Sequence, residues 1–150
     1  MPQSLASLHT HLIFSTKNRK AFLHDRIRDP LHRYMSTVLQ NLGCQPVIIN
    51  SVEDHVHLLF NLSRTVSISE AVEQVKKSSS KWIKTQGREF AVFAWQTGYG
   101  AFAVSQSNVD AVIDYIANQQ EHHCQRSFQD EFHQFLKRHR IDYNEEYVWD

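Results

Sequence analysis

The spacing of apolar residues divides the chain into segments that predict strands and segments that predict helices. Four short, β-prone runs are LHTHLIFS, QPVIINSV, DHVHLLFNL and AFAVS, at residues 8–15, 45–52, 54–62 and 101–105. Very few residues separate the second run from the third. This spacing predicts that they pair as an antiparallel hairpin.

Helical periodicity follows residues 29–43, 67–86, 107–123 and 127–139. The first of these segments has Asp29 as the expected N-cap, Pro30 at the first helical position and Gly43 just past the end. Each of the other three opens on a serine that precedes an acid by three residues, as Ser107 precedes Asp110. We therefore expect four amphipathic helices.

The resulting order is β-α-β-β-α-β followed by two helices, which predicts an α+β, ferredoxin-like (RRM-like) antiparallel sheet with additional C-terminal helices. In that topology the first and third strands are central, so DHVHLLF lies in the middle of the sheet. The two last helices could cover the open sheet face or reach a partner subunit. A length of 150 residues fits one domain spanning residues 1–150.

Charge and cysteine content narrow the classes of protein. The formal net charge is zero, yet residues 74–88 hold five basic residues and no acid, while residues 110–150 hold nine acids and four bases. The two cysteines are far apart and do not suggest a disulfide framework or a zinc knuckle. Without a signal peptide or a long apolar run, a cytoplasmic protein with no membrane role is expected.

Two histidines stand one residue apart in the third strand. Side chains alternate between the faces of a strand, so His55 and His57 share one face, about 6–7 Å apart at Cα, while Val56, Leu58 and Phe60 form the opposite, core face. This arrangement suits a metal ion. The pair could also arise by chance, because the chain holds 10 histidines and has a second H-x-H pair at His9 and His11.

A third ligand and a nucleophile are available on the third predicted helix. Tyr115 and Gln119 are four residues apart and so share a helix face. Tyrosine can carry a covalent intermediate, and the Gln119 carbonyl oxygen can complete a metal site. A packed core tyrosine is the competing interpretation, and His122 or His123 could replace Gln119 as the ligand.

The combination of DHVHLLF with Y-I-x-N-Q about sixty residues later resembles the single-tyrosine HUH transposases of small bacterial insertion sequences. The resemblance extends to HLIFSTKNRK, VKKSSSKWIKTQG, WQTGYGAFAVS and YNEEYVW, so it covers nearly the whole chain. It implies that Tyr115 is the nucleophile and that His55, His57 and Gln119 bind Mg²⁺ or Mn²⁺. It also implies cleavage and rejoining of single-stranded DNA at hairpin ends through a 5′-phosphotyrosine, by a homodimer whose subunits share active sites.

One chemical point disagrees with this resemblance: two imidazoles and an amide are not the oxygen-rich shell that Mg²⁺ prefers. For DNA contact we expect the basic residues of two segments, and serine hydroxyls for phosphate oxygens. Unpaired bases could stack on aromatic side chains. The expected DNA-binding residues are Lys76, Lys77, Ser78, Ser79, Lys81, Lys84, Lys17, Arg19 and Lys20, with Trp82, Trp95, Tyr99 and Phe102 for stacking.

Two other functions remain open from the sequence. A non-catalytic ferredoxin-like module could bind nucleic-acid hairpins without cutting them. The histidines could instead hold a structural zinc ion, an interpretation that leaves Tyr115 and the basic segment unexplained.

Overall fold

The computed structural model describes residues 2–121 and 126–150. Its strands are β1 (His9–Ser15), β2 (Gln45–Ser51), β3 (His55–Asn61) and β4 (Gly100–Ala103), and its helices are α1 (Asp25–Asn41), α2 (Ile68–Lys84), α3 (Val109–Ala117) and α4 (Phe128–Arg138). Short 3-10 turns occupy Lys17–Arg19, Arg88–Phe90 and Gln106–Asn108. Within the described ranges, no helix is both long and apolar enough to cross a bilayer.

The four strands form one antiparallel sheet in the order β2-β3-β1-β4. The predicted ferredoxin-like arrangement is therefore confirmed, with β1 and β3 at its centre and β2 paired to β3 as a hairpin. In the register of the central pair, Ile13 lies opposite His57. Both strands are buried along most of their length because helices cover each face of the sheet.

Helices α1 and α2 cover one face. Val56, Leu58 and Phe60 point to this side, as the alternation of β3 predicts, and join Leu12 and Phe14 of β1 in the main core. The histidines of β3 consequently point to the other face. The helix layer on that second face determines what surrounds them.

Helices α3 and α4 form the second layer, so the C-terminal helices cover the open sheet face of their own chain. Helix α3 is fixed to the edge strand by Asn50, whose Nδ2 donates to the Ile116 carbonyl at 2.8 Å. Helix α4 packs phenylalanines on β1 and β4, and a Cβ at Gly100 would lie 2.6 Å from the Phe132 ring. A side chain at Gly100 would therefore push α4 off the sheet.

The expected N-cap at Asp29 is wrong, since α1 begins at Asp25 and contains Pro30 in its second turn. Arg28 stabilises this earlier start, because its Nε donates to the Leu23 carbonyl at 2.7 Å and its Nη1 pairs with Asp25 at 2.8 Å. Gly43 does follow the helix, with a φ of 80°.

The third helix also differs from its prediction. Gln106–Asn108 form a 3-10 turn, so α3 starts at Val109 and Ser107 does not cap it. The helix ends at Ala117, and helical backbone resumes at residues 119–121. The alternative ligands His122 and His123 lie outside the described residues. Ser67 and Ser127 do cap their helices, accepting from the amides of Glu70 and Asp130.

Lys76 of α2 binds within its own chain. Its ammonium donates to the carbonyls of Gln96, Thr97 and Gly98 at 2.8, 3.2 and 2.6 Å. Burial lowers the pKa of Lys76 to about 8. These bonds attach the loop that leads into β4 to α2.

We expect Lys76→Met to lower the free energy of unfolding by about 2 kcal/mol, because charged hydrogen bonds to three carbonyls are lost. Urea denaturation measures this loss as a lower midpoint. Lys77→Met, at the exposed neighbouring position, is the control and should change stability by no more than about 0.5 kcal/mol. Equal midpoints for the two variants would contradict the structural role of Lys76.

Candidate active site around the two histidines of the third strand

The imidazoles of His55 and His57 are fully buried between the sheet and the α3–α4 layer, with ring centroids 5.2 Å apart. A neighbouring side chain orients each ring at Nδ1. Asp54 Oδ1 lies 2.7 Å from His55 Nδ1, and His11 Nε2 lies 2.8 Å from His57 Nδ1. Both Nε2 atoms therefore face the same point. This is how metal-binding histidines are usually held.

Glu131 of α4 lies at that point. Its carboxylate oxygens are 3.3 Å from His55 Nε2 and 3.0 Å from His57 Nε2. The side chain is only 4 % exposed, although it is charged. The carboxylate therefore lies between the two imidazoles on the buried face of α4, where it can serve as a third metal ligand.

Tyr115 joins the same cluster. Its hydroxyl donates to Glu131 Oε1, and its ring centroid is 5.8 Å from that of His57. Gln119 is fully buried beside it, with Nε2 3.3 Å from the Tyr115 carbonyl and 3.3 Å from Glu131 Oε1. The four residues predicted from sequence are thus brought together within one chain, with Glu131 at their centre.

The charges in this cluster depend strongly on one another. Burial lowers the pKa of His57, and Glu131 offsets this only in part. Burial also acts to lower the pKa of His55, but Asp54 and Glu131 outweigh it and raise the value to about 9. For Glu131 the two histidines overcome burial and hold the pKa well below its usual range. An ionised Glu131 between the rings follows from these directions.

The pKa of the Tyr115 hydroxyl shifts in the opposite direction to that of Glu131. Burial and the Glu131 charge raise the pKa of its hydroxyl above the ordinary value, so the phenol keeps its proton in the cluster as described. Positive charge brought near the hydroxyl would reverse this preference.

The donor atoms fit a divalent metal ion. One ligand atom each from His55, His57 and Glu131 lie within 4.8 Å of one another. Gln119 Oε1 is buried and accepts no well-formed hydrogen bond from the described residues, as a ligand oxygen without its ion would be. The carboxylate also adds a charged oxygen donor to a predicted set whose single oxygen was the neutral amide carbonyl.

The basic residues expected to bind DNA occupy two separate places. Lys77, Lys81 and Lys84 are exposed on α2, in the layer that covers the opposite face of the sheet from the histidines. Lys17 and Lys20 are exposed just after β1, and Arg19 lies 5.8 Å from the Trp149 ring. Lys76 is occupied by the three carbonyls described above, so it is poorly placed for a phosphate.

Several other expected DNA contacts are used in packing. Ser79 is buried and accepts from Trp95 Nε1 at 3.0 Å, whereas Ser78 is half-buried. Trp95 is buried in the main core, Phe102 is buried beneath α4, and Trp82 stacks on Tyr34. Among the four aromatic residues considered for base stacking, Tyr99 alone is exposed, at 37 %.

Three residues of the cluster were not predicted as site residues. His11 belongs to the second H-x-H pair, and Asp54 directly precedes His55. Both could have been predicted, because a metal-binding histidine usually needs a neighbouring polar side chain to orient its ring. Glu131 had a clearer signal. It recurs with Phe128, Phe132 and Phe135 at helical spacing, which places a carboxylate on the apolar face of α4.

Comparison with known proteins finds relatives in both sequence and fold. Residues 4–119 match the family model described as "Transposase IS200 like". The ISDra2 transposase TnpA of Deinococcus radiodurans is 23% identical over 119 residues, which cover 76% of this chain and 85% of that protein.

Solved structures agree on the fold. A transposase from Deinococcus radiodurans superposes with a TM-score of 0.62 at 24% identity, covering 79% of this chain and 98% of that one. A REP-associated tyrosine transposase bound to a REP hairpin gives 0.61 at 14% identity, covering 82% and 72%. Helix α4, with Glu131, lies beyond the residues that the family model matches. The chain belongs to the IS200-like transposase family.

Proposed function

We propose that this transposase domain, residues 1–150, nicks and rejoins single-stranded DNA at hairpin-bearing ends through a 5′-phosphotyrosine intermediate at Tyr115. The single observation that carries the proposal is the contact of the Tyr115 hydroxyl with the buried cluster of His55, His57 and Glu131. A structural zinc site would not need a tyrosine hydroxyl bonded to its carboxylate ligand. A hairpin-binding module without activity would not need the oriented histidines.

In the proposed reaction, the Tyr115 oxygen attacks the phosphorus of the scissile phosphodiester. The new bond joins phosphorus to the phenolic oxygen, the bond from phosphorus to the 3′ oxygen breaks, and the departing strand takes a proton as its 3′-hydroxyl forms. The phenolic proton is lost to solvent as this bond forms, because Glu131, which accepts it in a hydrogen bond, is held ionised by the two histidines and does not serve as the base. Because a phenolate is a better leaving group than an alkoxide, the reverse attack rejoins strands without an added energy source.

We further propose that His55, His57 and Glu131, with the Gln119 carbonyl oxygen, hold Mg²⁺ or Mn²⁺. A bound divalent ion would polarise a nonbridging phosphate oxygen and favour ionisation of the tyrosine. Asp54 and His11 hold the two imidazoles in the orientation that presents Nε2. The surrounding layer of α3 and α4 keeps bulk water from the ligands.

Each chain forms its own site in this proposal. Tyr115 lies against His57 of the same chain, so exchange of the tyrosine helix within the expected homodimer is not required. Hairpin DNA is the proposed partner, supported by the structurally similar REP-associated transposase whose described complex contains a REP hairpin.

Glu131→Ala is expected to weaken Mn²⁺ binding at least tenfold in calorimetry, because the charged oxygen ligand is lost. Gln119→Ala should weaken binding less, since a neutral amide contributes less to a hard cation. Asp130→Ala, at the exposed adjacent position, is the control and should bind Mn²⁺ normally. Wild-type Mn²⁺ affinity in the Glu131→Ala protein would show that Glu131 is not a metal ligand.

The activity itself is tested by incubating the protein with end-labelled single strands that carry hairpins, in Mn²⁺ and separately in EDTA. The expected result is a protein–DNA adduct, stable in denaturing gels, that forms in Mn²⁺ and not in EDTA. Tight hairpin binding without an adduct on any hairpin substrate would favour the non-catalytic binding module instead.

A further inference from the structure

A cavity of about 200 Å³ lies between α3 and α4 on the outer side of the active-site cluster. Rings of His11, Tyr115 and Phe135 form part of its wall, with Val112 beside them. His11 and Tyr115 both contact His57, so the cavity shares a wall with the catalytic cluster. A cavity of about 150 Å³ can hold benzene. This one is therefore large enough for a single nucleobase.

Two guanidinium groups border this cavity. Arg126 Nη1 donates to Gln134 Oε1, and Arg138 Cζ lies 5.6 Å from the centroid of the Phe135 ring. These contacts hold both side chains at the cavity although both residues are exposed.

Neither arginine is neutralised by a carboxylate among the described residues, whereas Arg26 and Arg28 both form ion pairs. The two uncompensated charges stand out because the C-terminal part of the chain is otherwise acidic. They make this the part of the active-site surface that attracts an anion.

The cavity has an aromatic wall and a cationic border, which match the base and the phosphate of a nucleotide. Aromatic rings offer stacking surfaces for an unpaired base, and the Gln134 amide can both donate and accept hydrogen bonds at a base edge. Arginine side chains bind phosphate through paired N–H donors. An isolated inorganic anion would not need the aromatic wall.

We infer that this cavity binds the unpaired nucleotide next to the phosphate that Tyr115 attacks, with its base against the aromatic wall and its phosphate on Arg126 and Arg138. The inference rests on the proposed function and adds the subsite that places the strand. Helix α4 thus supplies both Glu131 and part of the nucleotide site. Both lie beyond the residues that the family model matches.

Equilibrium binding of fluorescein-labelled hexathymidylate, followed by anisotropy in EDTA so that no cleavage occurs, tests this inference. Arg126→Gln and Arg138→Gln should each weaken binding at least fivefold and reduce the slope of log affinity against log salt by about 0.7, the loss of one phosphate contact on a single strand. Lys137→Gln removes an equal charge from α4, next to Arg138 but outside the cavity lining, and is the matched control.

Filling the cavity tests the base site separately from charge. Ala111 lines the cavity and is exposed, so Ala111→Trp should weaken hexathymidylate binding at least fivefold while melting temperature and Mn²⁺ affinity stay at wild-type values. Wild-type binding by both arginine variants, or by Ala111→Trp, would overturn the inference. Because this assay measures no cleavage, its failure is distinct from the absence of a covalent adduct, which would overturn the proposed function.

Discussion

Tyr115→Phe is expected to abolish cleavage of hairpin-bearing single-stranded DNA and leave DNA affinity within about twofold of wild type. The substitution removes one oxygen, the atom that forms the bond to phosphorus, while the ring keeps its packing against His57 and Phe135. We expect a rate loss of at least about a thousandfold, equal to ~4 kcal/mol of barrier. Strand cleavage on denaturing gels and binding by anisotropy measure the two quantities separately.

Tyr147→Phe is the matched control, since Tyr147 is 60% exposed and outside the cluster. It should cleave at the wild-type rate. Full nicking activity in the Tyr115 variant would exclude this residue as the nucleophile, whatever the behaviour of the control.

His57→Ala is expected to have the second-largest effect: Mn²⁺ affinity should fall by about 100-fold or more, and metal-dependent cleavage should fall with it. The residue is fully buried at the centre of the sheet and presents Nε2 toward Glu131. Calorimetric Mn²⁺ titration and the cleavage assay, both on folded protein verified by circular dichroism, provide the two measurements.

His9→Ala is the control for this variant, because His9 belongs to the other H-x-H pair but makes its side-chain hydrogen bond to Ser7 outside the cluster. Mixing the His57→Ala and Tyr115→Phe proteins tests whether one active site combines residues from two subunits. Since each chain gathers both residues, the mixture should remain inactive. Recovery of cleavage would show that active sites are shared between subunits.

The order of elements and the central position of the His55 strand could be predicted because both depend on local patterns. Period-two alternation placed Val56, Leu58 and Phe60 on the core face, and β-α-β-β-α-β order fixed which strands are central. The boundaries of two helices could not be predicted in the same way. The start of α1 is set by Arg28 reaching the Leu23 carbonyl, a contact that the periodic pattern does not contain.

Local patterns likewise predicted only part of the candidate active site. His55, His57, Tyr115 and Gln119 are each marked by spacing within one strand or one helical segment. Glu131 reaches them only because α4 folds back over the sheet, which depends on packing of its phenylalanines against β1 and β4. Lys76 shows the reverse case, since a basic residue in a basic segment is used to hold a loop.

Tyr115 is expected to become covalently attached to DNA during the reaction. The chain contains five tyrosines, so the adduct formed with hairpin DNA in Mn²⁺ can be digested and the modified residue identified by mass spectrometry. We predict a 5′-phosphate linkage on the peptide containing Tyr115. An adduct on any other residue, or cleavage that leaves both DNA ends free throughout the reaction, would contradict this assignment.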